Sequence, residues 1–572
     1  MAATPSSDDQ VGAEQPNGQD STLANQSGEK AVNDARGWRF YAMFGSLCIT
    51  SLLSAIDATI VSTVLPSIVS ELKSESLYVW ALNAFFLSMT TIQPLYGQTA
   101  NIFGRRWLVI GAIVFFAIGS GICGGATSTA MFVAGRVIKG IGGGGINVMI
   151  DMVVCDLVPQ RDRGKYMGFV FAVYSIGTTI GPLVGGAFAQ SATWRWAFYI
   201  NLPIVAVALP LVVMFLRVNY DRETHILRKL ARIDYIGNLI LTLSVISILI
   251  AIIWGGTEQP WNSWRTILPI VLGLLGHVAF VIHQSIPKLA PEPTVPLKLF
   301  GNRSSAAAYG LTFVHGTLQY WMVYFIPLYL QSVKLFSPTY AGVAFLPSVL
   351  VTIPFAIVSG GFISAANRYR PPQIVGICLM VIGFGTFTLL NRNSTTGEWV
   401  GFQILASAGC GLLLTCTLPA VQAPLDEKDV ATATGTWAFL RSYGSIWGVS
   451  IPSAVFNSRI DSMLYTVPDE AVRAMLANGA AYEHGTAAFI NSLSGTPDLQ
   501  STVIEVYTSG LKLVWQVGIG FAGLGFLIAL LIREVPMLQQ LETNEFGYEG
   551  KTKKGGNEKD AEEAVTLAPV EN

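Results

Sequence analysis

The sequence predicts an all-α polytopic membrane protein with about fourteen transmembrane helices, and three observations carry that reading. Of 572 residues, 51% are hydrophobic and only 12% are charged, whereas soluble domains carry roughly 25% charged residues. Most of the surface therefore faces something other than water. Long apolar runs recur from Phe40 to Ile532, many of them close to the ~20 residues a helix needs to cross a hydrocarbon core. Runs of that length exclude membrane strands, which leaves the helix as the element that satisfies its own backbone in lipid.

The runs place spans at approximately 40–66, 78–99, 107–126, 130–156, 166–189, 196–216, 235–255, 266–284, 306–332, 340–364, 372–390, 399–420, 431–456 and 510–532. Internal Gly and Pro do not end them, because membrane helices tolerate both. Basic residues then set orientation. Arg105 and Arg106 follow span two, Arg161, Arg163 and Lys165 span four, and Arg217, Arg222, Arg228, Lys229 and Arg232 span six. Lys288, Lys298 and Arg303 follow span eight, and Arg368 and Arg370 span ten. Apart from the long last loop, the alternate loops carry one basic residue or none, so the positive-inside rule puts the basic loops and both termini in the cytoplasm. The even number of spans agrees.

The first ~35 and last ~35 residues are polar and read as disordered tails. No apolar core of a cleavable signal precedes span one, which is expected to serve as the insertion signal itself. The loop 457–509 is expected to be extracytoplasmic, with its stretch AMLANGAAYEHGTAAFI forming a short amphipathic helix on the membrane rather than a folded domain. Asn393 opens the sequon Asn393-Ser394-Thr395 on an outward loop and is a candidate glycosylation site.

Composition also excludes functions. A net charge of −1 gives no reason to expect nucleic acid. The six cysteines lie in apolar runs without CxxC spacing and read as packing residues. The nearest approach to a phosphate loop, Gly550-Lys551-Thr552, has Glu545 where its first glycine belongs and no strand–helix context. The five histidines are scattered and form neither HxxxD nor HExxH. Transport is therefore expected to run on an ion gradient, without cofactor or metal, and an enzyme is disfavoured.

Ionisable residues inside the spans are the functional candidates. Asp57 sits in LLSAIDATIVSTVLP of span one, and Arg136 and Lys139 in span four. A cation in hydrocarbon costs at least ~2.5 kcal/mol, so both cations should face the bundle interior and find a partner. Asp57 and Arg136 lie at matching depths below the outer ends of their spans, within a few ångströms at about 1.5 Å per residue. They are positioned to pair; alternatively, Asp57 caps a local break near Pro66 or faces water. The run GIGGGGINV fits G-x-G-x-x-G at Gly140, Gly142 and Gly145, but it lies mid-span without a βαβ unit. Its glycines, like Gly177, Gly181, Gly185 and Gly186 in span five, are read as faces for close helix approach, with Pro182 as a flex point. Asp151 and Asp156 form a charge network touching the Arg105/Arg106 loop, or else face water. In the second half, His315 and Arg441 are the deepest ionisable residues, while His277 and His283 are peripheral. His315 is either a hydrogen-bonded packing residue or a proton carrier. Tyr320, Trp321, Tyr324 and Phe325 line an apolar pocket or face lipid.

Four segments in order carry a family resemblance: LLSAIDATIVSTVLP; YGQTANIFGRRW; GRVIKGIGGGGINVMIDMVVCDLVPQRDRGKYMG; and YSIGTTIGPLVGGAF followed by WRWAFYINLP. Over roughly 40–535 the chain resembles the major facilitator superfamily, and within it the fourteen-span drug:proton antiporters common among fungal multidrug and toxin exporters. That resemblance implies a major facilitator fold: six-helix bundles at 39–217 and 304–535 around two additional helices at 218–303, with tails at 1–38 and 536–572. It implies proton-coupled antiport of small amphipathic organic compounds across the plasma membrane, by a monomer alternating its access. The vacuolar membrane, a basic amino-acid carrier and a non-transporting sensor are the alternatives. The implied proton-coupling and substrate cavity comprises Asp57, Arg136, Asn147, His315, Tyr320 and Tyr324. The implied cytoplasmic latch comprises Gly97, Asn101, Gly104, Arg105, Arg106, Asp156 and Arg163, with Asn101 standing where the family usually has an acid. Gly177, Gly181, Pro182, Gly185 and Gly186 correspond to the motif that marks antiporters. GGFISAANRYRPP stands as a degenerate second copy of the latch segment.

Overall fold

The computed structural model describes residues 38–72, 77–216, 226–255, 259–426, 429–477, 479–482 and 484–537. Long helices stand at all fourteen predicted positions. They are α1 (Trp38–Leu72), α2 (Leu77–Phe103), α3 (Arg105–Gly124), α4 (Thr129–Leu157), α5 (Gln160–Ser191), α6 (Asn201–Phe215, preceded by a short turn of helix), α7 (Tyr235–Trp254), α8 (Trp264–Ser285), α9 (Arg303–Ser332), α10 (Pro338–Ala366), α11 (Arg370–Phe387), α12 (Thr396–Gln422), α13 (Val430–Met463) and α14 (Pro497–Leu531). Ten of the fourteen are long and apolar enough on composition alone to cross a membrane. The other four, α2, α5, α9 and α13, fall short of that measure over their described residues. Helix α1 continues unbroken past Pro66 to Leu72, so Asp57 does not cap a break there.

The helices gather into a first group, α1–α6, and a second, α9–α14, with α1 against α5, α3 against α4, α9 against α13 and α12 against both α10 and α11. The groups meet where α5 packs on α10 and α2 on α13. Helices α7 and α8 form a hairpin whose Leu241, Val245 and Phe280 pack with Leu87 of α2 and Phe439 and Tyr443 of α13. Its outer face, including Leu272, Leu275 and Val278, is exposed and apolar, as a lipid-facing surface requires. His277 stacks on Tyr443 with ring centroids 5.8 Å apart, and His283 lies 3.8 Å from Asp234. These two histidines therefore sit on the inner face of the hairpin rather than at the periphery.

Glycine sets the closest approaches. A Cβ on Gly142 would strike the α3 backbone at Ala112 and Phe116, and one on Gly144 would strike the Met89 carbonyl of α2. The glycine run is thus a packing seam of α4. Gly104 needs glycine's freedom: its φ of 80° turns the chain sharply from α2 into α3. All six cysteines are free, and all but Cys378 are buried.

The loop near 457–509 differs from expectation. Helices α13 and α14 reach far into it, and what remains folds back onto the second group. Short helices Glu470–Leu476 and Ala487–Ser492 bury Leu476 and Ile490. Tyr507 of α14 donates a 2.7 Å hydrogen bond to the Ala481 carbonyl, and Phe325 of α9 meets the Tyr482 ring at 5.6 Å. Val472, Leu476 and Ile490 of this segment are buried in protein packing while Met475 stays exposed, so the segment forms a cap over the second group with part of its apolar surface left free. The long tails and the region of Gly550 lie outside the described residues.

Gly142→Val is expected to cost about 1–3 kcal/mol through overpacking, read as a lower melting temperature of the detergent-solubilised protein. Gly111→Val on α3, where a Cβ meets nothing within 4 Å, is the control expected to melt as the parent does.

Candidate functional site

The most deeply placed charges converge on one carboxylate. Asp57 of α1 and Arg136 and Lys139 of α4 are each 0% exposed. Positions 136 and 139 lie one turn apart on one face of α4, so both cations reach the same acid. Lys139 Nζ donates a hydrogen bond to Asp57 Oδ1, and an Arg136 guanidinium nitrogen stands 3.7 Å from Asp57 Oδ2. Asn201 Nδ2, at the start of α6, donates to the same Oδ1 at 3.2 Å. Aromatic faces complete the shell: Arg136 lies 4.4 Å from the Phe85 ring centroid, and Lys139 lies 5.0 Å from Phe116 and 4.8 Å from Phe198. Rings at these distances favour the charged forms. The arrangement satisfies the demand that buried membrane cations be partnered.

The sequence placed Asp57 near Arg136, and the structure does so. It makes Lys139 the closer partner and adds Asn201, which sequence reading missed. The signal for Lys139 was its spacing of three from Arg136. For Asn201 it was a lone amide within WRWAFYINLP. Asn147 sits two turns further along α4, where it accepts from Ser54 Oγ at 3.1 Å and approaches Met89 Sδ at 3.8 Å, so it links α4 to α1 and α2. Helix α5 supports α1 from behind the cluster. Gly177 and Gly181 face Leu52, Ala55, Ile56 and Thr59 too closely for any side chain, and Thr59 Oγ1 donates to the Thr178 carbonyl at 3.0 Å. Pro182, Gly185 and Gly186 continue this unbroken helix. The glycine motif thus holds the helix that carries Asp57.

A second set of contacts closes the two groups against each other at the end bearing the basic loops. Asn101 Nδ2 donates to Thr432 Oγ1, in the first turn of α13, at 3.1 Å. Gly435 leaves no room for a Cβ against Gly97, nor does Gly360 against Gly164, and a Cβ on Gly97 or Gly164 would be tight. Arg163 spends its guanidinium on Gln422 Oε1 at 2.7 Å, the Cys155 carbonyl at 2.7 Å and the Val158 carbonyl at 3.0 Å. Ser364 donates to Asp162 at 2.6 Å. Arg105 instead pairs within the first group, with Asp156 at 2.7 Å and the Ala100 carbonyl at 2.9 Å. Arg106 donates to the Val213 carbonyl at 2.8 Å. Of the expected latch residues, Gly97, Asn101 and Arg163 thus reach the other group, while Gly104, Arg105, Arg106 and Asp156 shape the turn behind them. Asp151 is neither in the Arg105 network nor in water: it is buried and lies 3.7 Å from Arg441 of α13. Arg441 also lies over the Trp437 ring at 4.4 Å.

In the second group His315 is fully buried and packs against Cys410, with Nε2 3.2 Å from its carbonyl. Trp321 and Phe325 are buried in the bundle, Trp321 against Phe384 and Phe521; these two face neither lipid nor a pocket. Tyr320 and Tyr324 stack on each other at 6.3 Å, and Tyr320 lies within electrostatic reach of Tyr174 of α5 and of Arg441. Asn393 is exposed, while the Thr395 hydroxyl of its sequon caps α12. Among the described residues no group of three His, Cys, Asp or Glu side chains is placed to hold a metal ion.

Two helical groups meeting around buried charges, with apolar outer faces, define a multi-pass membrane transporter. The family model of the Major Facilitator Superfamily matches residues 47–449, and the chain belongs to that superfamily. It is 46% identical to the "MFS-type efflux pump LUC4" of a Fusarium species, over 90% of this chain and 91% of that one. It is also 46% identical to "Efflux pump FUS6" of Gibberella fujikuroi, over 93% and 95%. The fold is similar to that of the human organic anion transporter MFSD10, with a TM-score of 0.55 at 15% identity over 86% of this chain and 99% of that one.

Asp57→Asn leaves Lys139 without its acid and is expected to destabilise the solubilised protein by about 3–5 kcal/mol, measured by thermal unfolding. Combining it with Lys139→Met should return an interaction energy of about 0.5–3 kcal/mol in a double-mutant cycle.

Proposed function

We propose that this chain is a proton-coupled exporter of small, amphipathic, neutral or weakly charged organic molecules, working by alternating access. The observation that carries the proposal is the dry cluster of Asp57, Arg136, Lys139 and Asn201 set beneath a closed end of the molecule. A buried carboxylate shared by two cations is an arrangement whose balance changes with one proton, and intramembrane charges of this kind mark ion pathways. The positive-inside rule supports a cytoplasmic closed end, where Asn101, Arg163 and the paired glycines would form the cytoplasmic gate. Relatives named as efflux pumps support outward transport. Two cations against one acid at the centre disfavour a cationic cargo and hence the amino-acid carrier. The chain would act as a monomer, with the plasma membrane as its site and both termini in the cytoplasm. No step calls for a cofactor.

Vesicles holding the reconstituted protein, loaded with an acidic lumen, should accumulate the neutral dye Nile red faster than vesicles at equal pH. Asp57→Asn should abolish that acceleration. Unchanged gradient-driven uptake in the variant would contradict the role given to the cluster.

The seal gives a second expectation. Arg163→Ala removes three hydrogen bonds from a charged donor, each worth about 1.5–3 kcal/mol. Cys155, now 1% exposed beside Arg163, should then react with a water-soluble maleimide at least about tenfold faster, read site by site by mass spectrometry after digestion.

A further inference from the structure

We infer that Lys139, and not Asp57, carries the exchanged proton; this rests on the proton-coupled reading above and assigns the proton within the same cluster. Asp57 is shared: Lys139 holds Oδ1, and Arg136 faces Oδ2 at 3.7 Å. If Lys139 loses a proton, the Asp57 carboxylate and the Arg136 guanidinium remain as an opposed pair. If Asp57 gains one, the carboxylate that both cations face is gone, and the Lys139 ammonium keeps only the ring faces of Phe116 and Phe198 for its charge. Arg136 cannot take the role, since a guanidinium keeps its proton in proteins.

The surroundings fit a lysine that alternates between charged and neutral. Asn201 donates to Asp57 Oδ1 at 3.2 Å, so that oxygen keeps a charge-free partner when the ammonium is discharged. A neutral amine retains N–H groups to donate to Oδ1 and gains a lone pair. The titratable groups that act on Lys139 are Asp57 from α1, Arg136 from its own helix and the Cys123 thiol from α3. Asn201 and Phe198 approach from the α6 side, and Gly119 brings the α3 backbone directly against the Lys139 main chain. Cys123 is fully buried and its Sγ lies 3.8 Å from the Phe132 carbonyl, which engages it within the fold. The step balances simply. With the non-cytoplasmic side open, water delivers a proton to the Lys139 amine and forms the ammonium. With the cytoplasmic side open, the ammonium returns that proton to water as cargo enters. Asp57 remains a carboxylate throughout and acts as a positioning residue.

Two measurements on the full-length protein test this. The first needs no cargo: infrared difference spectra of the protein in a lipid film are taken while the bathing pH is stepped across the range in which transport responds. The expected result is no carbonyl band of a protonated carboxyl that disappears in Asp57→Asn. Such a band would overturn the assignment. The second uses vesicles and Nile red. Lys139→Gln should still let the dye move downhill, with no acceleration by a pH gradient and no accompanying proton flux. Lys139→Arg, a permanent cation, should likewise lose gradient-driven uptake. Either variant responding to the gradient as the parent does, while Asp57→Asn is dead, would overturn Lys139 as carrier and leave the proton-coupled reading standing. A parent protein whose dye transport ignores the gradient would overturn both. If neither variant folds, the infrared result on the parent decides alone.

Discussion

One carboxylate in a dry membrane interior constrains much of this molecule. Asp57 is the acid that both Arg136 and Lys139 face, and each of those cations would be costly in hydrocarbon without a partner. Meeting that demand fixes how α1 and α4 are registered against each other. It also requires α6 to begin where Asn201 can reach the same oxygen. The glycine seam of α4 and the glycine face of α5 follow from it, because the charged side chains meet only if the backbones come close. Gly142 and Gly144 bring α4 onto α3 and α2, and Gly177 and Gly181 press α5 onto the far side of α1. A cluster of this kind is weak evidence for stability as such; its value lies in having two charge states that differ by one proton.

The seal at the basic end is chemically different. It uses amides, hydroxyls and backbone carbonyls around the Arg163 guanidinium and the Asp162 carboxylate, together with glycine pairs that let helices touch. Apart from Arg163 and Asp162, these contacts are neutral hydrogen bonds and close backbone approaches. Asn101 fits this picture: it reaches Thr432 through a neutral hydrogen bond, so the gate does not depend on an acid at that position. The α7–α8 hairpin is tied to the same end. Gln98 of α2 donates to the Glu292 carbonyl at 2.6 Å, and Lys298 pairs with Asp429 at 2.7 Å.

Much of this was legible in the sequence, and the reasons are physical. Span positions were readable because lipid demands long apolar runs, and the Asp57–Arg136 approach because helical rise converts residue number into depth. What could not be read is which of several polar groups at similar depth face one another. Lys139 proved nearer to Asp57 than Arg136, and Asp151 crossed to Arg441 rather than joining Arg105, because rotation of each helix about its axis is set by packing and not by hydropathy. The segment after α13 misled for another reason: apolar residues that would suit a membrane surface suit a protein surface equally, and α9 and α14 offered one.

The account stands most directly on whether cargo and proton compete at the Asp57 cluster. Proton release can be recorded with a pH dye in unbuffered detergent solution as Nile red binds to the purified protein. The account predicts release from the parent protein and none from Asp57→Asn. Equal release from both, or none from the parent despite dye binding, would contradict it.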